Sequence, residues 1–428
     1  MSELGAFANQ GRTSVELFAG GGGLVMAVGR AGFRPLLLNE LGKHACETLI
    51  ANGARPYDVG EDRPPVPEVG EDPPLLRGDV AKVEFDHLVG LVDVLAGGPP
   101  CQPFSLGGNG RGDEDGRNGF PHMFRAVREM RPKAVICENV RGLLRPSFAP
   151  YFEYIKREFT LPFEQRREGS AWHEHDARLR ELIDDDSGSA HERYDVVHFA
   201  VNAADFGVPQ VRNRVILIAF RQDLGVDMMR FQELVKPQFS ESSLYESMTD
   251  GTYWDRHPEV PQHVREMAMA RIPRQTSLAG TGDRAAAWRT LRDAIEGIDE
   301  QKRLPPIPID HLDRKERRLG GFVDHIGWPD ARIYKGHTPN ELDRPAKTVK
   351  AGVHGVPGGE SVVKLDDGSH RYMSVREAAR VMTFPDNWTL AGSRGEKMRQ
   401  LGNAVPVLLG QAFAEAVAVV LDKAEKPT

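Results

Sequence analysis

The run Thr13-Ser14-Val15-Glu16-Leu17-Phe18-Ala19-Gly20-Gly21-Gly22-Gly23-Leu24-Val25-Met26-Ala27-Val28 decides the fold. An apolar stretch long enough for one strand runs into four glycines and out into a helical pattern, the strand-turn-helix unit of an open α/β sheet. Glycine lets such a turn adopt positive φ and lets a ligand approach backbone amides at the helix start. The turn lacks the Lys-Ser/Thr of a phosphate loop, which argues against ATP or GTP. A second apolar run, Pro35-Leu36-Leu37-Leu38-Asn39-Glu40, ends on a carboxylate placed to accept from ribose hydroxyls. Arg77-Gly78-Asp79-Val80 carries a further acid at a later strand end. There Asp79 either bonds an adenine amino group or caps the turn that follows.

Downstream, the apolar stretch Leu91-Val92-Asp93-Val94-Leu95-Ala96 leads into Gly97-Gly98-Pro99-Pro100-Cys101-Gln102-Pro103-Phe104-Ser105. Two prolines fix φ and remove two backbone donors, so this turn presents a thiol at a strand end rather than burying it. Cys46, in a helical pattern, and Cys137, inside Ala134-Val135-Ile136-Cys137, read instead as small buried apolar residues. Three cysteines without C-x-x-C spacing exclude a disulfide framework or zinc site and suit a reducing cytosol. No signal-like amino terminus and no apolar run of membrane-spanning length is expected, so the chain reads as cytoplasmic, without a membrane partner. A net charge of -7 opposes phosphate binding, so any basic face must be local.

Phe18-Ala19-Gly20-Gly21-Gly22, Glu40, Asp79, Pro99-Pro100-Cys101-Gln102, Glu138-Asn139-Val140, Gln210-Val211-Arg212-Asn213-Arg214 and Gly402-Asn403-Ala404-Val405-Pro406 follow the order seen in DNA (cytosine-5)-methyltransferases. The chain resembles the bacterial, restriction-modification type of that family over nearly its whole length, departing at Ala404, where the family usually has Ser. The resemblance implies an α/β fold: a doubly wound, Rossmann-like S-adenosylmethionine-dependent methyltransferase sheet with a smaller, mixed target-recognition domain. It implies S-adenosyl-L-methionine as methyl donor, double-stranded DNA as substrate and no metal. Cofactor contacts are implied for Phe18, Gly20, Gly22, Glu40, Leu41, Asp79, Val80, Pro99 and Asn403, and catalytic roles for Cys101, Glu138, Arg212 and Arg214.

The residue types suit that chemistry. Cytosine C5 is a poor nucleophile until a thiolate adds at C6, and a thiolate is both a good nucleophile and a good leaving group. Glu138, at the end of Ala134-Val135-Ile136-Cys137, is placed to donate to N3. Arg212 and Arg214 alternate along an apolar strand and at strand period share a face, one for the cytosine O2 and one for a phosphate or the thiolate surroundings. Leu106 to Gly119, glycine-rich and charged, reads as a solvated loop or a lid over an extruded cytosine.

Three sequence regions follow: 1–221 catalytic and cofactor-binding, 222–342 target-recognition, and 343–428 completing the catalytic domain. Residues 54–75 and 165–192 read as surface insertions or poorly ordered loops. Ser374 to Met382 reads as an amphipathic helix, and Val407 to Leu421 as a last helix packing on the sheet. Arg265, Arg271, Arg274 and the run from Arg314 to Arg318 are the candidate basic surface. A monomer is expected, with a cognate restriction endonuclease acting on the same site without a stable complex. The alternatives are a tRNA cytosine-5 methyltransferase and a catalytically silent DNA-binding regulator. The intact Cys101, Glu138 and Arg214 weigh against the second.

Overall fold

The computed structural model describes residues 2–425 apart from 61–62, 101–117, 186–188, 274–284, 298–300, 309–317, 329–330, 332, 334, 336–337 and 352–360. Cys101, most of the loop after it, Arg274 and the run from Arg314 to Arg317 therefore lie outside the described residues.

The chain divides into two compact units. The first comprises Met1–Val201, Asn213–Val235 and Gly410–Thr428, and the second Asn202–Arg212 and Lys236–Leu409. Sequence reading expected the chain to return to the first fold at residue 343, whereas residues 343–409 are compact with the second unit. The reason is local. The strands β13 (Asn340–Glu341), β14 (Val362–Lys364) and β15 (His370–Tyr372) form their own three-stranded sheet there.

The first unit is built on β1 (Arg12–Leu17), α1 (Gly23–Arg30), β2 (Phe33–Glu40), α2 (Lys43–Ala51), β3 (Arg55–Asp58), β4 (Pro74–Arg77) and β5 (Val94–Gly97). It continues through α3 (Phe120–Met130), β6 (Ala134–Val140), α4 (Ala149–Thr160), α5 (Trp172–Asp184), β7 (Tyr194–Asn202), β8 (Asn213–Arg221) and α6 (Met228–Leu234). Its eight strands lie in the order β3-β4-β2-β1-β5-β6-β8-β7. The pairs from β3 to β6 are parallel and β6–β8 is antiparallel. The chain passes from β1 to β2, on to the edge strand β3, back to β4 between β3 and β2, and then crosses to β5 on the other side of β1, so the topological switch falls between β1 and β5. Open α/β sheets bind ligands at the carboxyl ends of the two strands flanking such a switch. The α/β, doubly wound expectation holds.

The core beneath this edge is apolar, with Val15, Leu17, Leu95, Val135, Cys137 and Leu217 each no more than 1% exposed. Two expectations need correction. Residues 54–75 are not merely an insertion, because β3 pairs with β4 at the sheet edge. An edge strand has a ladder on one side only and tolerates the polar sequence Arg55-Pro56-Tyr57-Asp58. Within 165–192, Trp172–Asp184 is a helix. It buries His175, Asp176 and Leu179, sets Trp172 edge-on to Tyr151 at 5.3 Å, and pairs Asp176 with Arg157 at 2.6 Å. Its charges are neutralised locally, which composition alone could not reveal.

The second unit holds β9 (Phe239–Ser240), α7 (Glu241–Asp250), α8 (Thr252–Arg256), α9 (Gln262–Met269), β10 (Ala286–Ala287), α10 (Leu291–Glu296), the hairpin β11–β12 (Arg318–Leu319, Phe322–Val323) and β13 to β15. It also holds α11 (Val375–Val381), α12 (Arg394–Asn403) and the start of α13 (Val407–Ala424). Leu244, Met248, Tyr253, Trp254 and Val260 form a small core. α11 is not amphipathic against solvent: all seven residues are buried. Ion pairs Arg371–Glu377 at 2.6 Å and Arg380–Asp386 at 2.7 Å make that burial tolerable. Arg265 donates to the carbonyls of Val260 and Pro258, and the exposed Arg271 pairs with Glu341.

Among the described residues one helical stretch, Arg394–Ala424, contains a window long and apolar enough to cross a membrane, contrary to expectation. That window is 67% buried within the protein, as for a core helix. In the first unit Phe413 of α13 meets Phe199 at 5.3 Å, and Asp422 pairs with Arg12 at 2.6 Å.

Candidate active site

The glycine turn after β1 is held in an uncommon conformation. Phe18 has φ 57°, Gly20 φ 54° and Gly22 φ 88°. A phenylalanine in the left-handed region costs roughly 1–2 kcal/mol, and such outliers persist where surrounding structure holds them and concentrate at functional sites. The neighbouring strand end supplies the restraint. Glu40 accepts from Gly20 N at 2.7 Å through Oε2 and from Gly42 N at 2.6 Å through Oε1, while its carbonyl accepts from Gly78 N at 2.9 Å. One residue thus ties three turns together, two through its carboxylate, which keeps lone pairs for further donors.

Leu41 beside it is 71% exposed, an apolar side chain in water next to the ribose candidate. Asp79 accepts from Ala81 N at 2.9 Å, so the capping reading holds, and the side chain remains exposed. Val80 after it is buried. Cys46, 4% exposed, donates its thiol to the Glu40 carbonyl, and burial followed by the Glu40 charge pushes it up to about 12. It is an inert core thiol, as Cys137 is by its burial.

Across the switch, β5 ends in the Gly97-Gly98-Pro99-Pro100 turn. A Cβ on Gly119 would lie 2.7 Å from Pro100, 2.9 Å from Pro99 and 3.0 Å from Phe18, so the proline turn, the cofactor turn and the start of α3 meet at one point that only glycine fits. Gly119 closes the segment by donating to the Pro100 carbonyl at 3.0 Å. Asn139, 3% exposed, donates to the Pro99 carbonyl at 3.1 Å and anchors the turn to β6. Sequence reading assigned no task to Asn139 or Gly119; the Glu-Asn pair at a strand end was the available signal.

Glu138 is 8% exposed, with Oε2 3.6 Å from where a Gly98 Cβ would stand. Arg214 Nε lies 2.7 Å from Glu138 Oε1. The approach is an ion pair without hydrogen-bond alignment, and Oε1 has no hydrogen-bond partner among the described residues. A buried carboxylate with a cation against one oxygen can engage a polar ligand.

The two arginines part company. β8 begins at Asn213, so Arg212 precedes the strand and the shared-face argument does not apply to it. Arg214 belongs to the first unit and Arg212, 1% exposed, to the second. Arg212 donates to the carbonyls of Val349 at 3.0 Å, Gly402 at 2.7 Å and Ala404 at 3.0 Å. It clamps three carbonyls from two chain segments of the second unit rather than offering these nitrogens to a ligand. Asn403, at the end of α12, is also in the second unit. The first unit therefore gathers Phe18, Gly20, Gly22, Glu40, Leu41, Asp79, Val80, Pro99, Glu138 and Arg214 at the carboxyl edge of one sheet.

Comparison with known proteins agrees with this edge. The family described as C-5 cytosine-specific DNA methylase matches residues 12–161 and 187–418, leaving out the stretch that contains α5. The type II methyltransferase M.PspPI of Psychrobacter sp. is 30% identical, over 99% of this chain and 83% of its own length. M.Eco47II of Escherichia coli, also a type II methyltransferase, is 30% identical over 98% and 82%. The crystal structure of the S. pombe Dnmt2 methyltransferase shares the fold with a TM-score of 0.51 at 15% identity, over 97% of this chain and 99% of that one. The glycine turn, the doubly bonded Glu40 and the bare Leu41 fit an adenosine cofactor. The chain belongs to the C-5 cytosine-specific DNA methylase family and is an S-adenosylmethionine-dependent DNA (cytosine-5-)-methyltransferase.

Proposed function

We propose that the protein is the modification enzyme of a type II restriction-modification pair, methylating cytosine C5 within one duplex sequence through a covalent adduct between Cys101 and C6 of an extruded base. The observation that carries this reading is the Glu138 carboxylate, buried at the end of β6 with Oε1 2.7 Å from Arg214 Nε and Oε2 toward the Gly98 turn. Addition of the Cys101 thiolate to C6 pushes electrons toward N3, and Glu138 takes up that change by hydrogen bonding or protonation at N3. Arg214 holds the carboxyl in place. The resulting enamine makes C5 nucleophilic, and S-adenosylmethionine, when bound, supplies the electrophilic methyl group. Loss of the C5 proton then lets Cys101 leave by elimination.

Phe18, Gly20, Gly22, Glu40, Leu41, Asp79, Val80 and Pro99 hold the cofactor in this reading, with Glu40 accepting from the ribose and Leu41 covering the adenine. Target recognition belongs to residues 222–342, supported by a separate small core and by the fact that, among the described residues there, every strand belongs to a small two- or three-stranded sheet and none to the eight-stranded one. The cognate nuclease acts independently on the same sequence, and the enzyme works as a cytoplasmic monomer. Expression in a host without cytosine methylation, followed by bisulfite sequencing, tests the assignment. One protected DNA motif supports it. Unprotected DNA with a protected tRNA cytosine would replace it with the RNA reading.

A further inference from the structure

Past Glu138 and Asn139, β6 runs through Val140 into a single turn of 3-10 helix, Arg141–Leu144, at the same carboxyl edge of the sheet. The turn is anchored from beneath and from behind. Leu143 is wholly buried in the core of the first unit, Arg145 N donates to the Gly142 carbonyl at 3.2 Å, and the Arg145 carbonyl accepts from Phe148 N at 2.8 Å. Two arginines bracket it, Arg141 exposed and Arg145 partly exposed. Among the described residues neither guanidinium has an ion pair or a hydrogen bond. Other arginines of the first unit are spent on acids: Arg214 on Glu138 at 2.7 Å, Arg77 on Asp58 at 2.7 Å and Arg125 on Glu129 at 3.0 Å.

A chain of net charge -7 must concentrate its phosphate contacts locally, and these two cations are free to make them. Three residues of chain span at most about 11 Å, so Arg141 stays close to the Glu138 carboxylate. A nucleotide whose base lies against Glu138 carries a backbone phosphate on each side. We propose that Arg141 and Arg145 hold the phosphates flanking the extruded cytosine, so that this turn is the electrostatic grip of the first unit on the target strand and reads no sequence. The inference rests on the reading above, in which the cytosine enters beside Glu138. Phosphate contacts fix position and register while base-edge contacts specify, and each one releases a condensed counterion that salt dependence counts.

Fluorescence anisotropy of the full chain on a labelled duplex carrying the motif found by bisulfite sequencing, and on one with a single base of that motif changed, is followed from 50 to about 200 mM KCl. Arg141→Ala and Arg145→Ala should each make the slope of log affinity against log salt shallower by about 1, and the double variant by about 2. Both duplexes should weaken by the same factor, and Arg→Lys at either position should keep the slope. Cofactor affinity by calorimetry should not move. Slopes equal to wild type overturn the proposal and leave two solvated arginines; a loss confined to the matched duplex overturns it in favour of base reading. Should an alanine variant not fold, Arg→Gln against Arg→Lys decides in the same way, the slope being lost with glutamine and kept with lysine. Wild type also reports on the underlying reading through its covalent complex with 5-fluorocytosine DNA. An adduct with unchanged variant slopes overturns the grip alone, whereas no adduct overturns the reading and the grip with it.

Discussion

Asn139 Nδ2 donates to the Pro99 carbonyl across 3.1 Å, so the residue after Glu138 fastens the turn that leads into Cys101. Removing it leaves a carbonyl without its donor in a buried place, a loss of about 1–3 kcal/mol. Asn139→Ala should lower kcat for methyl transfer while cofactor affinity, measured by titration calorimetry, changes little. Unchanged kcat would mean that the turn is held without this bond.

Arg214 is the cation beside Glu138 at 2.7 Å. Arg214→Ala should cost about 100-fold or more in kcat, the range of a positioned acid-base group. Arg214→Lys should restore part of it, because the charge returns without the guanidinium geometry. DNA affinity in a gel-shift assay should hold. Equal kcat for the two variants would remove charge from the explanation.

The Glu40 carboxylate receives two backbone N–H groups, from Gly20 and Gly42. Glu40→Gln turns one of those oxygens into a donor facing a donor, and hydrogen bonds to charged groups contribute about 1.5–3 kcal/mol. The cofactor KM should rise roughly 10-fold to 100-fold while kcat at saturation stays within a few-fold. A fall in kcat at unchanged KM would show that the turn positions the reacting groups instead.

Cys101→Ala should abolish turnover and leave cofactor binding intact. With DNA carrying 5-fluorocytosine at the target, from which no C5 proton can be lost, wild type should form a complex that survives denaturing electrophoresis. The variant should form none. Residual methylation above background would refute the covalent route.

In the second unit, His257 lies 3.0 Å from Asp293 and 2.6 Å from Glu296. Burial alone would lower this imidazole, but the two carboxylates outweigh it and raise its pKa, while His257 and the Thr290 N–H hold Asp293 below its ordinary value against burial. The stabilisation from His257 is complete below the ordinary imidazole value of about 6.5 and is lost as pH rises through the raised one. The Asp293 contribution is lost as pH falls through its lowered value. Thermal stability of wild type should therefore decline on the alkaline side of neutrality, and His257→Gln should flatten that decline. An identical pH slope in the variant would exclude the pair as its source.

The cofactor half of the site was legible because its signals are local. A strand, four glycines and a helix lie within sixteen consecutive residues, and the acid of the next strand follows at a short interval. The charged stretch around Trp172 was misread as loop because Asp176 and His175 look solvated in one dimension, whereas α4 supplies Arg157, Tyr154 and Glu158 as their partners. Edge strand β3 escaped notice for the converse reason, since a half-exposed strand carries no apolar run.

The amino-acid sequence by itself determined the glycine turn, the Pro-Pro-Cys motif and the strand-end acids, because backbone stereochemistry and residue type act over a few bonds, and the order of those motifs carried the family resemblance that implies the reaction class. Only the tertiary structure decided that Arg214 pairs with Glu138 while Arg212 clamps carbonyls of the second unit, that Asn139 anchors Pro99, and that Arg141 and Arg145 are left without an acid among the described residues. Alternation assigns faces only within one strand. Which charges meet, and which are left unpaired, depends on the register between strands distant in the chain and on the helices packed across them.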